Sequence, residues 1–355
     1  MLWSAGTNRM NALPQAREDW QTAQMMRNLI TAAAFALATP ALAPAIAAPA
    51  LPAPVLAPVE IVAAAPAADW AAIAPADLLV MDLAPDAKAT ARRVVIQLVP
   101  PPFSQGWIAN IRKLAAAHWW DGTSINRVQD NYAVQWGDPD GEDKAKAKPL
   151  PEGLKVVPAG AYVAPVEAAL LNQIVTGSRG QEDKRSMVSL GSDQYSDAGY
   201  FENGWPIAAA WIDRSQPSSR WPTHCYGMVG VGRDYPPDTG SGAELYVVIG
   251  HAPRQLDRNI ALVGRVIEGI EHLSSLPRGT GDIGFYKTAP ERVPITAIRN
   301  GTDVKDLARY EYLSTESASF ASYADARKNR RDAFYIRPAG GADICNIPVP
   351  VRRAK

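Results

Sequence analysis

Apolar positions follow two rhythms along the chain, one with a period of two and one near 3.6 residues. Arg93-Val94-Val95-Ile96-Gln97-Leu98-Val99 is a β-branched run halted by Pro100-Pro101-Pro102, which predicts a strand with its stop. Trp107, Ile108, Ile111, Leu114, Ala115 and His118 fall on one stripe of a helix, so Ser104 to His118 is predicted helical with Ser104 as its cap. Thr123 to Val128 and Tyr132 to Trp136 are short strand-like runs on either side of Gln129-Asp130-Asn131, and Glu244 to Ile249 is another strand. Helical spacing returns in Trp70 to Leu83 and in Leu262 to Leu276, where Val263, Val266, Ile267, Ile270 and Leu273 share a face before Pro277-Arg278-Gly279. Residues 141 to 223, rich in Gly, Ser and Asp, read as an enlarged loop insertion with short strands. Ser317 to Tyr335 reads as a helix within a C-terminal extension, residues 301 to 355. Two main helices and many strands predict a mostly β protein built as a capped barrel.

The N-terminal region follows another pattern. Asn28 to Val59 carries no charge, enough length to suggest a membrane span of about 20 residues. Pro40, Pro44, Pro49, Pro52, Pro54 and Pro58 oppose that reading, because each removes a backbone donor from a would-be helix. The clean apolar run is Leu29 to Thr39, preceded by Met26-Arg27 and followed by Ala41-Leu42-Ala43, which is the layout of a secretory signal peptide. Residues 1–24 then read as an over-long gene start, 25–43 as the signal, 44–68 as an Ala/Pro-rich tether and 69–90 as a short helical lead-in. Cleavage leaves a periplasmic or secreted chain with no stable membrane span; an uncleaved anchor is the alternative.

Charge and chemistry narrow the function by exclusion. The chain's 36 Lys and Arg balance its 36 Asp and Glu, so no broad basic surface for nucleic acid is expected. Gly227 to Gly232 opens no helix after a strand and carries no dinucleotide motif. The acidic run Asp138 to Asp143 lacks the distal glutamate of a calcium loop, and His118, His224, His251 and His272 are not spaced for a metal. No serine nucleophile elbow is present. The two cysteines, Cys225 and Cys345, exclude a cystine framework but leave one bridge possible in an oxidising compartment.

The informative stretch is Trp119-Trp120-Asp121-Gly122-Thr123-Ser124-Ile125-Asn126-Arg127-Val128, followed by Tyr132-Ala133-Val134-Gln135-Trp136-Gly137-Asp138. It resembles the cyclophilins, peptidyl-prolyl isomerases in which a helix leads to an aromatic-Asp-Gly turn, a strand arginine, an aromatic residue, a glutamine and a Gly-Asp pair. The resemblance extends through Gly227 to Arg233, Ser241 to Val248 and Leu256-Asp257-Arg258-Asn259, and covers residues 91–300. It implies a closed eight-stranded antiparallel β-barrel capped by two α-helices, prolyl isomerase activity without a cofactor or metal, and proline-containing polypeptides as substrates of a protein read as a monomer. Arg127 and Gln135 stand at the catalytic positions. Tyr132, Ala133, Gly232, Arg233, Glu244, Tyr246 and Leu256 stand at the peptide-binding positions.

The match departs from the family at the slot. Tyr132 and Tyr246 stand where Phe is usual, Ala133 where Met is, and Glu244 where Gln is. Gln255 replaces Trp or His, Ile260 replaces His, and Arg233 replaces a frequent Asn. The resemblance implies a prolyl isomerase assisting the folding of exported proteins; the altered slot keeps open a non-catalytic proline-peptide-binding or scaffold module of the cell envelope.

Overall fold

A computed structural model describes residues 55–176, 187–211 and 218–355, all within one unit spanning Ala53–Lys355. The expected signal peptide, and the tether as far as residue 54, lie outside the described residues. The rest of that tether is not extended: Pro58–Ala64 forms helix α1, started by a proline at its first turn and by Glu60, whose carboxylate accepts from the Ala57 N–H at 2.7 Å. Nor is the lead-in helical. Trp70–Ile73 is strand β1 and Leu78–Leu83 is strand β2, separated by a short turn that begins at Pro75.

The chain continues through β3 (Arg92–Leu98), α2 (Gln105–Ala116), β4 (Ser124–Gln129) and β5 (Ala133–Gly137). The insertion supplies β6 (Ala164–Pro165), α3 (Ala168–Thr176), β7 (Ser189–Gly191), β8 (Ala198–Glu202), β9 (Trp205–Ala210) and β10 (Ser219–Pro222). Then come β11 (Met228–Val231), β12 (Leu245–Val248), β13 (Leu262–Glu268), α4 (Glu271–Ser274) and β14 (Val293–Asn300). The extension holds β15 (Tyr310–Leu313), α5 (Ala318–Lys328) and β16 (Val351–Arg353).

Eight of these strands close an antiparallel barrel in the order β11-β12-β5-β4-β14-β2-β3-β13. The family-derived start at residue 91 is therefore too late, since β2 is a stave between β3 and β14. Its apolar run, Leu78 to Met81, has a physical cause. Leu79, Met81 and Leu83 join Val94, Ile96 and Leu98 in the main core, while Leu78 and Val95, on the opposite face, pack with Ile73 of β1 and Tyr310 of β15. A strand covered on both faces loses the polar alternation that identifies half-exposed strands.

Helix α2 caps the barrel as its stripe predicts, with Trp107, Ile108, Ile111, Leu114 and Ala115 buried. Ser104 is not a capping side chain; it sits in the left-handed region at φ 54° and makes no cap hydrogen bond. His118 also falls off the stripe, because the helix ends at Ala116 and His118 turns out at φ 54°. The second expected cap, Leu262 to Leu276, is mostly strand β13; only the single turn α4 is helical. In the extension, α5 is shorter than expected, and its cap is Ser317, whose hydroxyl accepts from the Phe320 N–H at 3.0 Å.

The insertion is more than loops: β6, β10, β9, β8 and β7 form a five-stranded sheet. Arg265 of β13 ties it to the barrel. Its guanidinium donates to Gln97 Oε1 on β3 at 2.9 and 2.7 Å and to the Gly204 carbonyl at 2.7 Å, and it lies over the Trp205 ring. Burial lowers its proton affinity to about 10. The extension in turn packs on the insertion. Phe201 of β8 meets Phe320 of α5 edge-on at 5.0 Å, in a cluster that also takes Ile61 and Val62 from α1. Cys225 and Cys345 are joined by a disulfide with a Cα–Cα distance of 5.1 Å.

Candidate active site

The aromatic-Asp-Gly turn is pinned before it delivers the site. Trp120 donates its indole N–H to the Ala243 carbonyl at 2.8 Å, and Asp121 takes Arg299 of β14 in a two-pronged ion pair at 2.6 and 2.7 Å. That guanidinium holds the Asp121 carboxyl below the usual carboxylate range. Strand β4 then pairs with β5, but its register slips between Ile125 and Arg127, so Asn126 is an extra, bulged residue. Its side chain is held between Ser124 and the Gly137 carbonyl. The bulge sets Arg127 directly opposite Gln135.

Arg127 donates from Nη1 to Gln135 Oε1 at 3.3 Å, from Nη2 to Gln129 and from Nε to the Ile283 carbonyl at 2.7 Å. Tyr132 and Phe285 stand on it, each ring centroid 5.5 Å from its central carbon. Burial lowers the proton affinity of Arg127, yet a guanidinium stays charged at any ordinary pH. Gln129, Ile283 and Phe285 were not among the site residues read from sequence. The last two arrive on a loop that approaches β4 so closely that a Cβ on Gly284, at φ 84°, would lie 2.6 Å from the Gln129 Cα. The glycines at 279, 281 and 284 were the available signal.

Beside the guanidinium lies the slot. Ala133, Tyr246 and Val248 are buried together, with Tyr132, Leu256 and Ile260 packed against them. The four expected slot residues, Tyr132, Ala133, Tyr246 and Leu256, are thus one cluster. Tyr246 needs Gly230 opposite it on β11, because a Cβ there would lie 2.4 Å from the tyrosine's ring tip and hydroxyl.

Gly232 and Arg233 directly follow β11. The Gly232 N–H donates to the Glu244 carbonyl at 2.8 Å. The Arg233 side chain folds back on the carbonyls of Asn259 and Asp234.

Glu244 sits between Gln135 and Gly137, where a Cβ on Gly137 would overlap its carboxyl group. Burial raises its pKa from 4.5 to about 8, against the hydrogen bonds it accepts from the Gln135 side chain and the Asp138 N–H. The folded chain therefore holds a proton that the unfolded chain releases near pH 4.5. The stabilisation is complete below that value and is lost as pH rises toward about 8. Thermal melts are expected to move down between pH 5 and pH 8, and Glu244→Gln to flatten that slope; equal slopes in both proteins would contradict the assignment.

Known proteins place the chain in the same frame. The family model described as "Cyclophilin type peptidyl-prolyl cis-trans isomerase/CLD" matches residues 106–300. The crystal structure of the cyclophilin AquaCyp293 from Hirschia baltica is similar in fold, with a TM-score of 0.55 at 19% identity, covering 81% of this chain and 94% of that one. A Cryptosporidium parvum cyclophilin-type isomerase, solved in the presence of the dipeptide Ala-Pro, aligns at a TM-score of 0.33 and 11% identity over 62% of this chain and 98% of its own. No curated protein matches the chain. The closed barrel is a cyclophilin barrel. The chain belongs to the cyclophilin-type peptidyl-prolyl cis-trans isomerase family.

Proposed function

We propose that the protein catalyses rotation about X-Pro peptide bonds in polypeptides. The observation that carries this reading is the Arg127 guanidinium, fixed by Gln135, at the edge of the apolar cluster of Tyr132, Ala133, Tyr246 and Leu256. Amide resonance sets a barrier of about 20 kcal/mol against the rotation. As the C–N bond twists, the proline nitrogen becomes pyramidal and its lone pair localises. An N–H of Arg127 aimed at that lone pair binds the twisted state and finds nothing equivalent in the planar one, so its stabilisation falls on the transition state. The slot holds the proline ring while the flanking carbonyl turns. Gln135 keeps the guanidinium plane in place and costs no reorganisation when the bond rotates.

The same reading places the protein outside the cytoplasm, assisting the folding of exported chains. It is supported by the signal-like segment 25–43 and by a disulfide, which persists in oxidising compartments. The mass of the chain recovered from the periplasm reports the cleavage. Ala133, small where the family usually has Met, favours a second reading in which the slot binds prolyl segments without efficient turnover. The test is the cis-to-trans rate of short peptides Ala-Xaa-Pro-Phe with the chain starting near Pro44. Acceleration over buffer is expected; rates equal to buffer for every Xaa, with peptide still bound, would select the second reading.

A further inference from the structure

Tyr246 carries a hydroxyl into the wall of the slot, and a buried chain of side chains takes it up. The hydroxyl lies 2.9 Å from His224 Nε2, and His224 Nδ1 lies 2.8 Å from Asp257 Oδ1. Asp257 also accepts from the His224 backbone N–H at 2.9 Å and from Arg254 Nε at 2.6 Å, and Arg254 reaches on to Asp193 at 3.0 Å. All four inner members are buried: Tyr246 is 7% exposed, His224 1%, Asp257 5% and Arg254 3%.

The direction of the bonds at Asp257 follows from the chemistry. The His224 and Arg254 partners hold the Asp257 carboxyl low, against the cost of its burial, so it is an ionised acceptor. Nδ1 of His224 then donates to Asp257, and Nε2 shares a hydrogen bond with the Tyr246 hydroxyl. The Tyr246 hydroxyl is thereby engaged behind the slot. The tip of the ring rests over Gly230, in the space a Cβ would occupy. Its position is set by that packing together with the hydrogen bond with His224.

We propose that His224, oriented by Asp257 and Arg254, is a positioning residue for the proline slot, fixing Tyr246 so that the wall stays apolar and at one depth. This rests on the reading that the slot receives a prolyl ring. Neither His224 nor Asp257 touches the peptide, so their effect must pass through the tyrosine hydroxyl. A double-mutant cycle tests that route, with Ala-Ala-Pro-Phe as the probe and both its dissociation constant by calorimetry and its isomerisation kinetics as readouts. Tyr246→Phe and His224→Leu are each expected to raise Kd and KM about fivefold, the worth of one hydrogen bond, with kcat nearly unchanged. The double variant is expected to be no weaker than the poorer single one.

Additive losses, or a Tyr246→Phe protein that binds as tightly as wild type, overturn the proposal. If His224→Leu does not fold, the Tyr246→Phe comparison alone decides. A wild-type protein that neither binds nor isomerises the probe brings down the isomerase reading itself and this inference with it. A wild type that binds the probe while the cycle is additive removes the inference alone.

Discussion

Replacing Arg127 by lysine is expected to lower kcat/KM for a prolyl peptide by about 100-fold or more, the usual loss when a preorganised transition-state donor is removed. The charge survives the change, so the loss isolates geometry. Arg127 uses one N–H on Ile283, one on Gln129 and one on Gln135, which orients the plane of the fork and leaves two of its five N–H donors for a substrate. A lysine ammonium is a single point on a flexible stem and cannot satisfy the Ile283 carbonyl and Gln135 while also facing the slot. The melting temperature should move little, since Arg127 is half-buried and outside the barrel's core. Stopped peptide kinetics on both proteins decide it. Full activity in the lysine variant would mean that charge alone suffices and that Gln135 has no orienting part.

Breaking the Cys225–Cys345 bridge should produce the largest change in stability. The cross-link spans 120 residues, and the chain-entropy account gives about 5 kcal/mol for a loop of that size. At roughly 2 °C per kcal/mol for a chain this long, the midpoint falls by about 10 °C. The loss has a local site as well. Ile344, next to the bridge, is 3% exposed and packs against Gly199 of β8, so the segment that unlocks first is the one joining the extension to the insertion sheet. Calorimetry of Cys345→Ser, and of wild type with a phosphine reductant, should give the same lowered midpoint. A variant that melts with wild type would show that packing around Phe320 holds the extension without the cross-link.

Much of the fold was legible because its segments obey one rhythm at a time. Arg93 to Val99, the stripe of α2, the paired runs around Arg127 and Gln135, and Leu245 to Val248 all read as they fold. The failures share a cause. Leu78 to Leu83 and Leu262 to Glu268 are staves buried for much of their length, and continuous burial erases the alternation that separates strand from helix. Gly264, Gly269 and the β-branched residues of the second were the better guide. In the insertion, Asn203-Gly204 between Phe201-Glu202 and Trp205 is a two-residue hairpin turn, with φ 50° and 83°, and the Asn-Gly pair was the readable mark of it.

The site divides along the same line. Arg127, Gln135, Tyr132 and Ala133 lie within nine positions on a hairpin, so ordered motifs reach them. Ile283 and Phe285 meet Arg127 from more than 150 residues away, and His224 meets Asp257 across 33. No local pattern encodes such meetings. Only the closure of the barrel brings them together.

That closure also has an order in time. Strand β2 needs β14, whose pairing begins more than two hundred residues further on, and β1 needs Tyr310 to Leu313. During synthesis the apolar Leu78 to Leu83 can zip onto β3 early, but its other edge stays without a neighbour until nearly the whole chain exists. Pairings of such long sequence separation form late and slowly. The barrel is completed by joining its earliest-made stave to its last one.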